Sequence, residues 1–283
     1  MPENMDSEIS NRLRRMNLDK YLNNITVGEC SELMAGLPDR CIDLTVTSPP
    51  YGNLRIYEQF DFRFEDIAYE LWRVTKDGGV VVWVVGDQTY NGSESGESFR
   101  QALHFKELGF LLHDTMIYQK AGSSAPSGDR YYQSFEYMFV LSRGKPKTFN
   151  PIKDRENKWH GKKFSKIRSR RQKDGTLKDT DWDASEGKKY GVRFNIWRYA
   201  VGYKNHGDPI CHEHPAPFPE RLARDHIISW SKEGDIILDP MCGSGTTCVM
   251  ALQNNRRYIG FDISEKYVEL SRRRLYTVQT RLL

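Results

Sequence analysis

The sequence predicts an α/β protein with a doubly wound, mostly parallel sheet and one small inserted unit. Three observations predict it. Short β-branched runs alternate with helical runs through most of the 283 residues. The stretch VVVWVVGD, residues 80–87, is apolar at every position through Val85, as in a strand covered on both faces. Between about 145 and 205 the alternation lapses into a basic stretch interleaved with aromatics.

The elements follow in order. Residues 1–22 read as a helical or frayed lead-in. Ile25-Thr26-Val27 is a short strand ending at Gly28-Glu29-Cys30. Residues 31–37 form a short helix with Ser31 as its N-cap. Residues 41–46, β-branched and apolar, form a buried strand. In 65–75, Ile67, Leu71 and Val74 recur at helical spacing, and Lys76-Asp77-Gly78-Gly79 ends that helix. The strand VVVWVVGD follows, then a helix over 97–108. The stretches 111–119 and 135–142 pair around the loop AGSSAPSGDR. After the basic stretch, PFPERLARDHIISWS is an amphipathic helix and DIILD a buried strand. SGTTCVMALQNN is a helix, RRYIGFDI a strand and SEKYVELSRRRL the last helix. Residues 23–144 and 206–283 are thus expected to be halves of one domain, with 145–205 as a separate recognition unit.

Composition narrows the function classes. No run approaches the ~20 apolar residues that span a bilayer, and the N-terminal segment has no signal-peptide apolar core. A cytoplasmic protein with no membrane partner is expected. Five cysteines without CxxC or zinc spacing read as reduced thiols. Cys211-His212-Glu213-His214, with His206 nearby, reads as a polar loop between prolines rather than a metal site. From Lys145 to Arg193 there are 16 Lys and Arg against 7 Asp and Glu, a balance of +9; the total is +4, so the remainder carries −5. Half of residues 160–171 are Lys or Arg. Such a segment attracts phosphate backbones. The interleaved Trp159, Phe164, Trp182, Tyr190 and Trp197 favour nucleic acid over a purely solvating loop.

Two motifs carry chemistry. The first is DIILDPMCGSGTT. A strand ends in Asp239, Gly243 and Gly245 let the chain turn tightly, and a helix starts at Thr246-Thr247. About twenty residues on, the next strand ends in Asp262, where an acid can accept both ribose hydroxyls. An acid at the first strand's tip repels a pyrophosphate. The pattern therefore suits a nucleoside cofactor that carries a cation, such as S-adenosylmethionine. The second motif is VTSPPYGN, residues 46–53. It ends a core strand in two stiff prolines between a hydroxyl and an aromatic ring.

Together the motifs resemble the exocyclic-amino DNA methyltransferases. TSPPY resembles their catalytic motif, [Asp/Asn/Ser]-Pro-Pro-[Tyr/Phe/Trp], and DPMCGSGTT their cofactor motif. The order, catalytic before cofactor, resembles the permuted β group, whose fold is the Rossmann-like class I methyltransferase sheet. GECSELMAGLPDRCIDLTVTSPPY and HPAPFPERLARDHIISWS resemble that group's opening and the helix preceding its cofactor motif. The resemblance implies S-adenosyl-L-methionine as cofactor. It places Glu29, Cys30, Pro219, Asp239, Pro240, Gly243, Ser244, Gly245, Thr246 and Asp262 at that cofactor. No metal is implied. The catalytic corner is Ser48, Pro49, Pro50 and Tyr51. The Ser48 hydroxyl and Pro49 carbonyl would accept from an exocyclic amine, with the prolines fixing φ. Tyr51 would stack on a base taken out of the duplex.

Serine at the first position resembles the cytosine-N4 enzymes, with adenine-N6 methylation on the same scaffold as the alternative. A methyltransferase acting on RNA or on a protein glutamine stays open, though its usual motif order is the reverse. So does an inactive nucleic-acid-binding protein. The expected partner is double-stranded DNA. Arg55, Lys162, Lys163, Lys166, Arg168, Arg170 and Arg171 are the candidate DNA contacts. The resemblance is compatible with a homodimer and with a cognate restriction endonuclease. Asp87 reads equally as an orienting residue or a cap, and Tyr57 as a nucleotide contact or a surface residue.

Overall fold

The computed structural model describes residues 18–50, 62–121, 128–158, 160–161, 167–181, 188–200 and 208–282. The chain divides into a large unit, residues 1–150 with 195–283, and a small one, residues 151–194.

The large unit begins with β1 (Asn24–Val27), α1 (Cys30–Ala35), β2 (Ile42–Thr47), α2 (Phe64–Val74) and β3 (Thr75–Val85). A short hairpin follows, β4 (Thr89–Tyr90) with β5 (Ser93–Glu94), and then α3 (Glu97–Glu107), β6 (Leu111–Lys120) and β7 (Phe135–Ser142). The small unit contributes β8 (Arg155–Glu156), β9 (Ile167–Arg171), β10 (Leu177–Asp181) and β11 (Tyr190–Gly191). The chain re-enters the large unit with β12 (Ile196–Tyr199), a 3-10 turn over Pro209–Glu213, and α4 (Glu220–Trp230). It closes with β13 (Ile236–Asp239), α5 (Thr246–Gln253), β14 (Arg257–Asp262) and α6 (Glu265–Leu282).

Eight strands form one sheet in the order β1-β14-β13-β2-β3-β7-β6-β12. Every neighbouring pair is parallel except the two that involve β7. The predicted doubly wound, mostly parallel sheet is what the chain forms. Contacts link α1 to α2 and α2 to α3, and separately α4 to α5 and α5 to α6. The centre of the sheet is fully covered. Val80 to Val85 are all buried, and the Trp83 indole N–H donates to Gln101 Oε1 at 2.8 Å inside the core. Phe105 packs edge-on against Trp83, Phe64 and Phe110, and Phe64 lies tilted against Trp83. A polar indole nitrogen is tolerated there only because it has that acceptor.

The element positions follow the sequence closely, with two corrections. The α1 N-cap is Glu29, not Ser31: its carboxylate accepts from the Glu32 N–H at 2.9 Å, and the helix already includes Ser31. The Lys76–Gly79 run does not separate α2 from β3. The strand starts at Thr75, and between the pairs Ile42–Thr75 and Leu44–Val80 the ladder slips, so the run is a bulge. Gly78, at φ +79°, turns the chain, and Lys76 pairs with Asp43 at 2.7 Å. The glycines bend a strand here instead of ending a helix. The stretches expected to pair, β6 and β7, do so antiparallel. Of the expected lead-in, only 18–22 falls in the described residues, and it is helical over 18–21.

The compact small unit is shorter than the basic stretch. Residues 145–150 and 195–200 lie with the large unit, and β12 completes its sheet beside β6. Within the small unit, β9 and β10 form an antiparallel ribbon and β8 pairs with β11. Arg193 pairs with Asp154, and the Arg155 guanidinium sits 4.7 Å from the Phe194 ring centre.

Candidate active site

The two motifs lie on neighbouring parallel strands. β13 leads through α5 to β14 on one side, and β2 leads through α2 to β3 on the other. The carboxyl ends of β13 and β2 therefore flank the point where the winding reverses, where open α/β sheets bind ligands. The ends are joined by side chains. The Thr47 hydroxyl donates to Asp239 Oδ1 at 2.8 Å, and the Thr247 hydroxyl donates to the Val46 carbonyl at 3.1 Å. Ser48 thus follows directly on a residue bonded to the cofactor-motif acid. Pro49 is buried and Pro50 half-buried beside it. Tyr51, Arg55 and Tyr57 lie outside the described residues.

The glycine turn is fixed peptide by peptide. Gly243 and Gly245 hold φ of +50° and +74°. A Cβ on Gly243 would come within 2.9 Å of His214 Nε2, and one on Gly245 within 2.8 Å of Ser271 Cβ. The Gly243 N–H donates to Asp262 Oδ2 at 2.7 Å, and the Ser264 N–H to Asp262 Oδ1 at 2.9 Å. Each carboxylate oxygen can accept more than one bond, so this bracing leaves acceptor capacity for hydroxyls. The Ser271 hydroxyl donates to the Gly243 carbonyl at 2.6 Å. Ser244, Thr246 and Pro240 are buried around the turn, and Pro219 is the N-cap residue of α4.

Burial and bonding set the charges. Asp239 is buried, and desolvation raises its carboxyl to about 6 against the bonds from the Thr47 hydroxyl and the Met241 N–H. For Glu29, burial would raise the pKa. The Ser31 hydroxyl, the backbone of Glu32 and Ser31, and Arg63 together bring it below its ordinary value. That carboxylate caps α1 and pairs with Arg63 at 3.1 Å. Burial pushes the Cys30 thiol upward, with the neighbouring Glu29 charge adding to the effect. β1 runs beside β14, with Val27 opposite Asp262 and the Gly28 N–H donating to the Asp262 carbonyl at 3.0 Å. Three acids, Glu29, Asp262 and Asp239, therefore follow adjacent strand ends. These acceptors fit the hydroxyls and cationic end of S-adenosylmethionine and oppose a polyphosphate.

Asp87, past the end of β3, accepts from the Ser95 hydroxyl at 2.8 Å and from the Ser98 N–H, in the first turn of α3, at 3.1 Å. Burial would raise its pKa, but these serine bonds hold it below the ordinary value. A cavity of about 400 Å³ opens there, lined by Asp87, Tyr131, Tyr132, Phe135 and Tyr137. Among the described residues, no group of three or more His, Cys, Asp or Glu could hold a metal ion. No helix among them is long and apolar enough to cross a membrane. All five cysteines are free thiols and buried. Of the candidate DNA contacts, Arg171 is exposed on β9, Arg168 and Arg170 belong to the same strand, and Lys162, Lys163 and Lys166 lie outside the described residues.

Sequence reasoning missed Thr47, His214, Ser271 and Arg274. Arg274 left a signal: it falls on the buried stripe of α6 with Val268, Ser271 and Leu275, where a solvated arginine would not sit.

A doubly wound sheet with an acid-flanked glycine turn at its switch point defines an α/β enzyme of the nucleoside-cofactor class. A family model described as DNA methylase matches residues 42–273. The chain is 58% identical over 239 residues to the orphan methyltransferase M.BamHII of Bacillus amyloliquefaciens, covering 84% of this chain and 89% of that one. It is 25% identical over 293 residues to the type II methyltransferase M.SmaI of Serratia marcescens, covering 89% and 90%. Among solved structures, the PvuII DNA methyltransferase (cytosine-N4-specific) shares the fold with a TM-score of 0.64, at 20% identity over 91% of each chain. TTHA0409 of Thermus thermophilus, in its complex with S-adenosyl-L-methionine, shares it with a TM-score of 0.60, at 23% identity over 90% of this chain and 95% of that one. The chain belongs to the N6/N4 DNA methylase family, S-adenosylmethionine-dependent enzymes, and is a site-specific DNA methyltransferase.

Proposed function

We propose that the enzyme methylates the exocyclic N4 amine of a cytosine taken out of the duplex. The observation that carries this reading is the serine-led corner, Ser48-Pro49-Pro50, on the strand end bonded through Thr47 to Asp239. A hydroxyl and a carbonyl, rather than a carboxylate, then face the target amine. Its lone pair is delocalised into the ring, and acceptors at its N–H groups favour the tetrahedral nitrogen that can attack. The prolines hold the carbonyl at one orientation. Tyr51 supplies a stacking face for the extruded base, which returns part of the cost of leaving the helix. Catalysis is then mainly positioning of two reactants.

S-adenosylmethionine supplies an electrophilic methyl group on its sulfonium. Asp262 accepts from the ribose hydroxyls, the Gly243–Thr246 turn admits the close approach, and Asp239 favours the cationic end. The basic residues of the small unit contact the phosphates, and a subset of them selects the site at base edges. M.BamHII is named an orphan, which favours a solitary enzyme over one that works beside a cognate restriction endonuclease.

The test is methylation of duplex DNA with labelled cofactor, digestion to nucleosides and mass spectrometry. The expected product is N4-methylcytosine. N6-methyladenine would overturn the cytosine assignment and keep the scaffold.

A further inference from the structure

Arg274 is fully buried, and its guanidinium uses every nitrogen. Nε donates to Asp208 Oδ2 at 3.1 Å and Nη2 to Glu220 Oε1 at 2.9 Å. Nη1 donates to the Ser244 carbonyl at 2.6 Å, the Thr246 hydroxyl at 3.1 Å and the Ser244 hydroxyl at 3.3 Å. Burying a cation is costly unless it is paired and hydrogen-bonded, and this one has two carboxylates and three turn acceptors. The acids hold the fork in place from one side. The fork in turn holds the glycine turn.

The peptide geometry says what is held. Peptide units are planar, so fixing a carbonyl fixes the N–H on its far side. Ser271 fixes the Gly243 carbonyl, which sets the Ser244 N–H. Arg274 fixes the Ser244 carbonyl, and the Gly245 N–H of that same unit donates to the Cys242 carbonyl at 2.7 Å. Ser271 and Arg274 stand three residues apart on α6, so one helix face grips two successive peptides from behind. Two left-handed glycines would otherwise leave these units free to rotate.

We propose that Arg274 is the positioning residue that pre-sets the cofactor turn. It does not touch the cofactor. It supplies in advance the order that binding would otherwise have to impose. Asp208 and Glu220 belong to the same device as the supports of the guanidinium. The proposal rests on the reading that S-adenosylmethionine binds at this turn. It predicts a split in the kinetics: loss of Arg274 weakens cofactor binding and leaves the chemical step nearly intact. Lysine does not rescue, because a single ammonium cannot span five acceptors placed for a planar fork.

The experiment measures S-adenosylmethionine affinity by calorimetry without DNA, alongside thermal unfolding and steady-state kinetics. Wild type, Arg274→Lys, Arg274→Met and Asp208→Asn are compared. In Arg274→Lys and Arg274→Met the dissociation constant is expected to rise about tenfold or more, equivalent to about 1.4 kcal/mol. At saturating cofactor, kcat stays within about threefold and KM for DNA does not change. Asp208→Asn keeps the cation and loses one support, so a rise of about two- to fivefold is expected. A folded Arg274 variant whose cofactor affinity stays within twofold of wild type overturns the proposal. So does a loss confined to kcat. If neither Arg274 variant folds, Asp208→Asn decides by the same criterion: an unchanged dissociation constant overturns it. Failure of the wild type to bind the cofactor would instead strike the reading of the site.

Discussion

Asp239→Asn should make the protein more stable at neutral pH while weakening its cofactor site. In the fold, desolvation raises the Asp239 carboxyl from 3.8 to about 6. A group whose folded pKa lies above its unfolded value stabilises fully below the unfolded pKa and loses that contribution as pH rises through the folded one. Ionised Asp239 therefore costs stability at pH 7.5 relative to pH 4. Two units at about 1.4 kcal/mol each set a ceiling of about 3 kcal/mol. Asparagine keeps the acceptor that takes the Thr47 hydroxyl at 2.8 Å and the Met241 N–H at 3.3 Å, and it carries no charge. The assay is urea unfolding of both proteins at pH 4, 5, 6 and 7.5, compared as a difference so that other titrating groups cancel. The expected gap favours the variant by about 1–3 kcal/mol at pH 7.5 and closes toward pH 4. A gap that does not change with pH, or a variant less stable than wild type at pH 7.5, would refute the reasoning. Cofactor affinity should fall in the same variant, because a neutral amide no longer favours a cationic ligand. Such a trade between stability and binding is common where a site holds a charge the fold would prefer to lose.

Ser48→Ala should lower kcat by tenfold or more, on the order of one lost transition-state hydrogen bond, with calorimetric cofactor affinity unchanged. Thr47→Val removes a donor from a buried carboxylate and should cost about 1–3 kcal/mol in urea unfolding near neutral pH. Gly243→Ala forces a side chain into a left-handed residue and against His214 Nε2, so cofactor affinity should drop, and His214→Ala in the same chain should recover part of it. DNA affinity should fall steeply with salt, and Arg171→Ala should reduce the slope of log K against log salt by about one. A flat salt response would remove the basic unit as the contact surface.

The strand ends were legible because alternation, apolar runs and turn residues agreed there. The bonds between them were not. Thr47 reads as one more β-branched residue of β2, and only the pairing of β2 with β13 shows that its hydroxyl meets Asp239. The Ser31 cap gave way to Glu29 because a longer acid one position before the helix reaches back to Glu32 equally well. The Gly78-Gly79 pair read as a terminator, yet Asp43 anchors Lys76 and lets the strand run on through a bulge. The position of Arg274 on the apolar stripe was visible, but its partners were not. Asp208 and Glu220 come from segments more than fifty residues earlier, so no local pattern joins them to it. The resemblance supplied the roles of Glu29 and Pro219. The structure supplies instead the capping bonds that occupy the Glu29 carboxylate.

The roots of the small unit carry a practical consequence. Where the chain leaves for it, Asn150 is stapled to the end of α4: its N–H donates to the Ser229 carbonyl at 2.8 Å, and its amide reaches the Ile228 and Ser231 carbonyls. Where the chain comes back, β12 is laddered onto β6 and the Tyr199 hydroxyl donates to the buried Asp225 at 2.8 Å. Both splice points are thus secured by bonds within the large unit itself. Residues 151–194 can therefore be exchanged as a cassette cut at those two positions, and if they read the DNA as proposed, the graft should change the target sequence while cofactor affinity stays the same.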